Sequence, residues 1–122
     1  MVVVNDGLKN TRKWLARSGG NAPTGIVLGT SGTVASETDT ALYSAVDSTE
    51  KGFATVPTET DFTIQYEHTL ASTEGNGFTF REFALTESVT DSIFTRNTFT
   101  AINKTTAFEV QTLLTIKLLN EE

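Results

Sequence analysis

The chain has 122 residues, enough for one domain with a sizeable core, and it carries no cysteine. That excludes disulfides, thiolate metal sites and cysteine nucleophiles. Nine basic residues against fifteen acidic ones leave a net charge of -6, which argues against general binding of nucleic acid.

Threonine dominates the composition. There are 23 threonines and 8 serines, with 8 phenylalanines and only 2 prolines. β-branched and aromatic residues suit a pleated, half-buried surface, so a β-rich domain over residues 1–122 is expected. The opening Met1–Val4 is too short for a signal peptide, and no apolar run of about 18 residues occurs, so no membrane partner is expected.

The first predicted element is the one helix, over about residues 6–18. Asp6 is read as its N-cap. Leu8, Thr11, Trp14 and Leu15 fall at helical spacing, and Gly19-Gly20 ends the run. Lys9, Arg12, Lys13 and Arg17 put four of the nine basic residues on this segment. The simpler reading packs Leu8, Trp14 and Leu15 on a sheet beneath a solvated basic face; the functional one docks the basic helix on an acidic neighbour or on another copy of the chain.

Thr24–Gly29 reads as a short buried strand around Ile26-Val27-Leu28. A small-residue loop follows from Thr30, with Thr38 or Asp39 capping a helical turn that carries Ala41, Leu42 and Val46. Residues 44–51 read as irregular, and Phe53–Val56 as at most a short edge strand before Pro57.

Phe62, Ile64, Tyr66, His68 and Leu70 alternate with polar residues, a period of two over ten positions. Gly75-Asn76-Gly77 turns the chain into a strand over Phe78–Leu85. Phe78 and Phe80 hold one parity there, Phe83 and Leu85 the other, and a bulge near Arg81-Glu82 reconciles them. Ile93–Ile102 is the next strand, with Phe99 and Ile93 inward. From Phe108 the last strand alternates to its end, where Leu113 and Leu119 suggest cover on both sides. Four long strands with short turns predict an antiparallel meander. With the shorter strands this makes an all-β fold: an antiparallel β-sandwich or flattened barrel, jelly-roll-like, with one short N-terminal α-helix.

Catalytic signals are sparse. His68 is the only histidine and sits in phase with an apolar face, which favours a packed or rim residue with one satisfied hydrogen bond over a pH-responsive subunit contact. No spaced His/Asp/Glu cluster suggests a metal and no G-x-S-x-G elbow a serine nucleophile. Carboxylate pairs among Glu50, Glu59, Asp61, Glu82 and Glu87 are expected by chance in a chain with fifteen acids. Gly29-Thr30-Ser31-Gly32 lacks the lysine and βαβ context of a phosphate loop. Asn103-Lys104-Thr105 matches a glycosylation sequon and is read as a turn. No catalytic residue, cofactor or metal is expected.

Two segments together carry a resemblance. Gly25-Ile26-Val27-Leu28-Gly29-Thr30-Ser31-Gly32-Thr33, then Thr38-Asp39-Thr40-Ala41-Leu42, looks like a hydrophobic strand, a "GTGTT"-like loop and "TDTAL". Phe80-Arg81-Glu82-Phe83-Ala84-Leu85, then Phe94-Thr95-Arg96-Asn97-Thr98-Phe99, looks like an "EIGL" strand, a turn and an "(F)xRxxF" strand. In order and spacing, over roughly residues 5–119, the chain resembles a loosely related group of small structural proteins of tailed bacteriophages and prophages. It departs at Ala84, where the group often has glycine, and near Val46–Lys51, where an arginine is usual. The resemblance implies a non-enzymatic virion component of the tail, neck, fibre base or capsid surface. Such a component assembles in the host cytoplasm with itself and with other virion structural proteins.

Under that reading the contact residues are Lys9, Arg12, Lys13, Trp14 and Arg17 on the helix and Thr30, Ser31, Gly32 and Thr33 in the loop. Arg81 and Arg96 are added as strand residues that pair with Glu82 or Glu87, or sit in a subunit interface. The alternative is a carbohydrate- or receptor-binding β-sandwich module that stacks a host surface glycan on Trp14, Tyr43 or Tyr66. A small hydrolase resting on His68 and the acids is the third reading.

Overall fold

Alternation in the C-terminal half becomes strands of the expected kind. The computed structural model describes residues 1–118, and its elements are β1 (Val2–Val3), α1 (Asn5–Leu15), β2 (Gly25–Gly29), β3 (Lys51–Gly52), β4 (Thr58–Thr60), β5 (Thr63–Leu70), β6 (Thr79–Glu87), β7 (Ser92–Asn103) and β8 (Val110–Lys117). They form two antiparallel sheets, one in the order β1-β7-β6-β2-β3 and one in the order β4-β5-β8. The fold is an all-β sandwich with one short N-terminal helix. The barrel alternative falls because neither sheet closes on itself or on the other.

The four-strand meander is corrected. Of the four long strands, only β6 and β7 are consecutive neighbours; β5 pairs with β8 in unbroken register from Thr63↔Lys117 to Leu70↔Val110. The chain therefore changes sheets between β5 and β6 and again between β7 and β8. Alternation tells which face of a strand is apolar, but β5 and β8 carry the same pattern as β6, so it does not choose the neighbour.

Ile26, Leu28, Tyr66, Leu70, Phe80, Leu85, Phe94, Val110 and Leu114 form the core between the sheets. A second cluster, Val4, Val27, Leu42, Ala84 and Ile93, lies on the far face of the larger sheet. Strand β2 is buried at all five positions because alternate residues serve the two clusters. The bulge near Arg81-Glu82 is present: Phe80 pairs with Ile102 but Glu82 with Thr98. Phe80 and Leu85 consequently share the central core while Ala84 joins the second cluster. A further register shift between Leu85 and Thr86 lets Phe94 turn into the core while Ile93 faces the other way.

The helix differs most from expectation. It begins at Asn5, with Val4 rather than Asp6 at the N-cap and no side-chain cap, and it ends at Leu15. Leu8, Trp14 and Leu15 do not pack on the sheet; they are 57%, 57% and 77% exposed. Gly7 makes the contact instead, because a side chain there would lie 2.5 Å from the Phe94 carbonyl oxygen. After the helix, Arg17 and Gly19 take positive φ, and Asn10 exchanges two hydrogen bonds with the Asn21 backbone, folding the chain back along α1.

Several loop expectations change too. Asp39 closes a turn with Ser36 and caps no helix. Residues 44–51 contain a bridge from Ala45 to Gly29, a 3-10 turn at Asp47–Thr49 and the first residue of strand β3. Phe53–Val56 is not a strand; the edge strand follows Pro57. Leu113 is 52% exposed, so β8 is covered on one face only, and Leu119 lies outside the described residues.

His68 is fully buried, and its Nε2–H donates to the Thr49 carbonyl at 2.8 Å. Burial holds its pKa below the ordinary 6.5, the Thr49 bond opposing only in part. A histidine depressed in the folded state contributes its full stability above the unfolded value and loses it as pH falls toward the folded one. Thermal melts are therefore expected to drop as pH falls through and below the ordinary histidine value of 6.5. His68→Gln, which keeps a donor but does not titrate, flattens that limb. Asp39, Glu74 and Glu87, all held below their ordinary values of 3.8 to 4.5, act only at lower pH.

Candidate functional site

The two sequence segments that carry the resemblance meet on the far face of the larger sheet. Strands β2 and β6 pair Gly29 with Glu82, and β6 and β7 pair Ala84 with Arg96. Glu82 and Arg96 therefore point to the same side, beneath the loop that runs from Thr30 to Ala45. Gly29 permits this close approach: a Cβ there would meet the Ser44 carbonyl oxygen at 2.6 Å and the Glu82 side chain at 2.8 Å.

Arg96 is fully buried and is the centre of the cluster. Its Nε–H donates to Glu82 at 3.2 Å and its Nη1 to Asp39 at 3.4 Å. The Tyr43 ring covers the guanidinium, 4.6 Å away. Glu82 also accepts the backbone N–H groups of Ser31 (2.8 Å), Tyr43 (3.0 Å) and Ser44 (3.2 Å). Asp39 accepts the Ser36 N–H at 2.8 Å and the Tyr43 hydroxyl at 3.1 Å. Burial by itself raises the Asp39 carboxyl, but these hydrogen bonds and the Arg96 charge outweigh it and hold it low. The bond to Asp39 pushes the Tyr43 hydroxyl up. Glu82 thus ties both ends of the loop through its backbone, Asp39 ties its middle, and the arginine supplies one positive charge between the two carboxylates.

Arg96 is accordingly corrected as a contact residue, because a side chain with no exposed surface reaches no partner. It does pair with Glu82, as one of the sequence alternatives had it, but inside the protein. Arg81 is exposed and donates to the Thr30 carbonyl at 3.3 Å, beside Gly32, so it belongs to the loop surface. Gly32 and Thr33 are exposed, and Thr30 and Ser31 half-buried. Lys9, Arg12, Lys13, Trp14 and Arg17 are all exposed on α1 or just past its end. One backbone bond, from the Asn5 N–H to Glu37 at 2.7 Å, ties the start of α1 to the loop.

The places of Asp39, Tyr43 and buried Glu82 around Arg96 went unread in the sequence, which offered Asp39 as a cap and Tyr43 for sugar stacking. The available signal was a charged residue on each of two strands, in phase with buried positions: Glu82 with Ala84, and Arg96 across from it. Other buried charges are local ties. Glu87 accepts the Val89 and Thr90 N–H groups and the Thr90 and Ser92 hydroxyls, closing the β6–β7 turn. Lys104 donates to Asn76 and to the Thr105 carbonyl, both at 2.9 Å, with the Phe108 ring 5.6 Å away. The sequon asparagine Asn103 is the last residue of β7, and the turn follows it.

Beside the end of α1 a cleft of about 400 Å³ opens onto the central core, lined by Trp14, Ile64, Tyr66, Leu85, Phe94 and Ile116. Of the three aromatics considered for sugar stacking, Tyr66 is buried and Tyr43 lies over Arg96, so they form no common platform with Trp14. Among the described residues no His/Asp/Glu group is arranged to hold a metal, and no helix is long and apolar enough to cross a membrane. No family model, curated protein or solved structure matches the chain.

Proposed function

We propose that the chain is a non-enzymatic structural component of a tailed-phage particle. In this reading it is present in several copies and contacts itself and neighbouring tail, neck or capsid proteins. The observation that supports this most is the buried network of Arg96, Glu82 and Asp39. It joins the segments that carry the phage resemblance, and its structural consequence is to hold the Thr30–Ala45 loop in one shape. A loop held in that way presents a fixed surface, which lowers the ordering cost of binding a partner. The exposed face of α1 supports the same reading: it sets Leu8, Trp14 and Leu15 among four cations on an otherwise acidic protein, so it offers apolar area and charge contrast together.

Electron microscopy and cross-linking mass spectrometry of purified particles test the proposal. The expected result is density for the chain at symmetry-related positions, with cross-links from Lys9 or Lys13 to a neighbour. A chain that is missing from purified particles and monomeric in isolation overturns it.

A further inference from the structure

Among the described residues, strand β8 leaves one edge open. Its backbone pairs with β5 on one side, and among the described residues no backbone hydrogen bond joins Val110–Lys117 to any element on the other. The strand is eight residues long, with no proline and no bulge. The other edges are poorer templates. Strands β1 and β3 have two residues each and β4 has three. The part of β7 beyond its contact with β1 is interrupted opposite Arg81, where Phe99, Thr100 and Ala101 face one residue of β6. An irregular edge of that kind resists pairing, whereas a long regular one invites it.

The sequence of β8 also says what fits there. Laid antiparallel against itself about Leu113, it sets Glu109 opposite the partner's Lys117, Val110 opposite Ile116, Gln111 opposite Thr115, Thr112 opposite Leu114, and Leu113 opposite Leu113. Every pair keeps its face: Val110, Leu114 and Ile116 turn toward the core, and Gln111, Leu113 and Thr115 turn outward. Moving the centre by one residue, the smallest step that keeps the faces, sets Lys117 opposite Ala107 or Gln111 and discards both ion pairs.

We propose that a second copy of this chain adds to the β8 edge in that register, making a two-fold dimer with a continuous six-stranded sheet. The proposal rests on the multi-copy reading above and names one of its contacts. Isologous contacts of this kind are self-complementary by symmetry, which is the property β8 has about Leu113.

Sedimentation velocity on the full chain tests it. Lys117→Glu and Glu109→Lys each place two like-charged pairs across the dyad and are expected to raise the dimer dissociation constant about tenfold. The double variant restores opposite charges and brings the constant back near wild type. Both residues are exposed, so these changes leave the monomer fold in place. Because the chain has no cysteine, Leu113→Cys is expected to give a disulfide-linked dimer on mild oxidation, while Thr115→Cys, opposite Gln111, is not. A wild-type chain that assembles but ignores the charge changes and gives no Leu113→Cys dimer overturns the β8 contact alone. A wild-type chain that stays monomeric at about 100 μM overturns the contact and self-assembly together.

Discussion

Arg96→Ala is expected to destabilise the protein by about 3–5 kcal/mol, because it strands the buried Glu82 and Asp39 carboxylates without their counter-charge. Urea denaturation measures the loss as a lower midpoint at unchanged slope. Arg96→Lys keeps the charge but gives up the fork that reaches both acids and the flat face under Tyr43, so most of the loss should remain. Glu82→Gln separates charge from shape. One of its two accepting oxygens becomes an N–H donor that faces donors from Ser31, Tyr43, Ser44 or Arg96. That variant is expected to free the loop, and limited proteolysis between Thr30 and Ala45 should accelerate. Wild-type midpoints and cleavage rates in these variants would show that the cluster does not hold the loop.

Gly7→Ala carries the second large effect, and its sign discriminates between two causes. By helix propensity alone, alanine in place of glycine stabilises by up to about 1 kcal/mol. Here the added carbon would lie 2.5 Å from the Phe94 carbonyl oxygen and 2.6 Å from its Cα, both backbone atoms of β7. No rotamer relieves such a clash, so the helix must lift. Val4, buried next to it, donates its N–H to that same carbonyl, so lifting α1 also disturbs the β1 contact. The expected outcome is a net loss of about 1–3 kcal/mol. Leu8→Ala, at an exposed position on the same helix, should stay within about 0.5 kcal/mol. A Gly7→Ala protein more stable than wild type would mean that α1 is not seated through Gly7.

The helix marks where reading by pattern stops. Leu8, Trp14 and Leu15 have helical spacing, and a helix did form there, but spacing does not reveal whether an apolar stripe meets the sheet or faces away. The seat is a glycine, which hydrophobic patterns ignore. The strand pair Arg81-Glu82 shows the opposite case. A change of parity in a run of phenylalanines and a leucine is a local signal with one physical remedy, and the bulge is present. His68 was equally legible, since one histidine in phase with buried residues has few places to go.

Charge was the least legible quantity. Surface pairing was the natural expectation for Arg96, and the structure buries it, because its neighbours are set by strand order and by a loop that returns more than fifty residues away in sequence. Composition and alternation, which act over a few residues, determined by themselves that this chain is all-β, with one helix first, a short buried β2 and a bulged β6. Strand order, the seat of α1 and the cluster beneath the Thr30–Ala45 loop were decided only in the tertiary structure. They depend on which of several equally patterned strands become neighbours, and no local spacing encodes that choice.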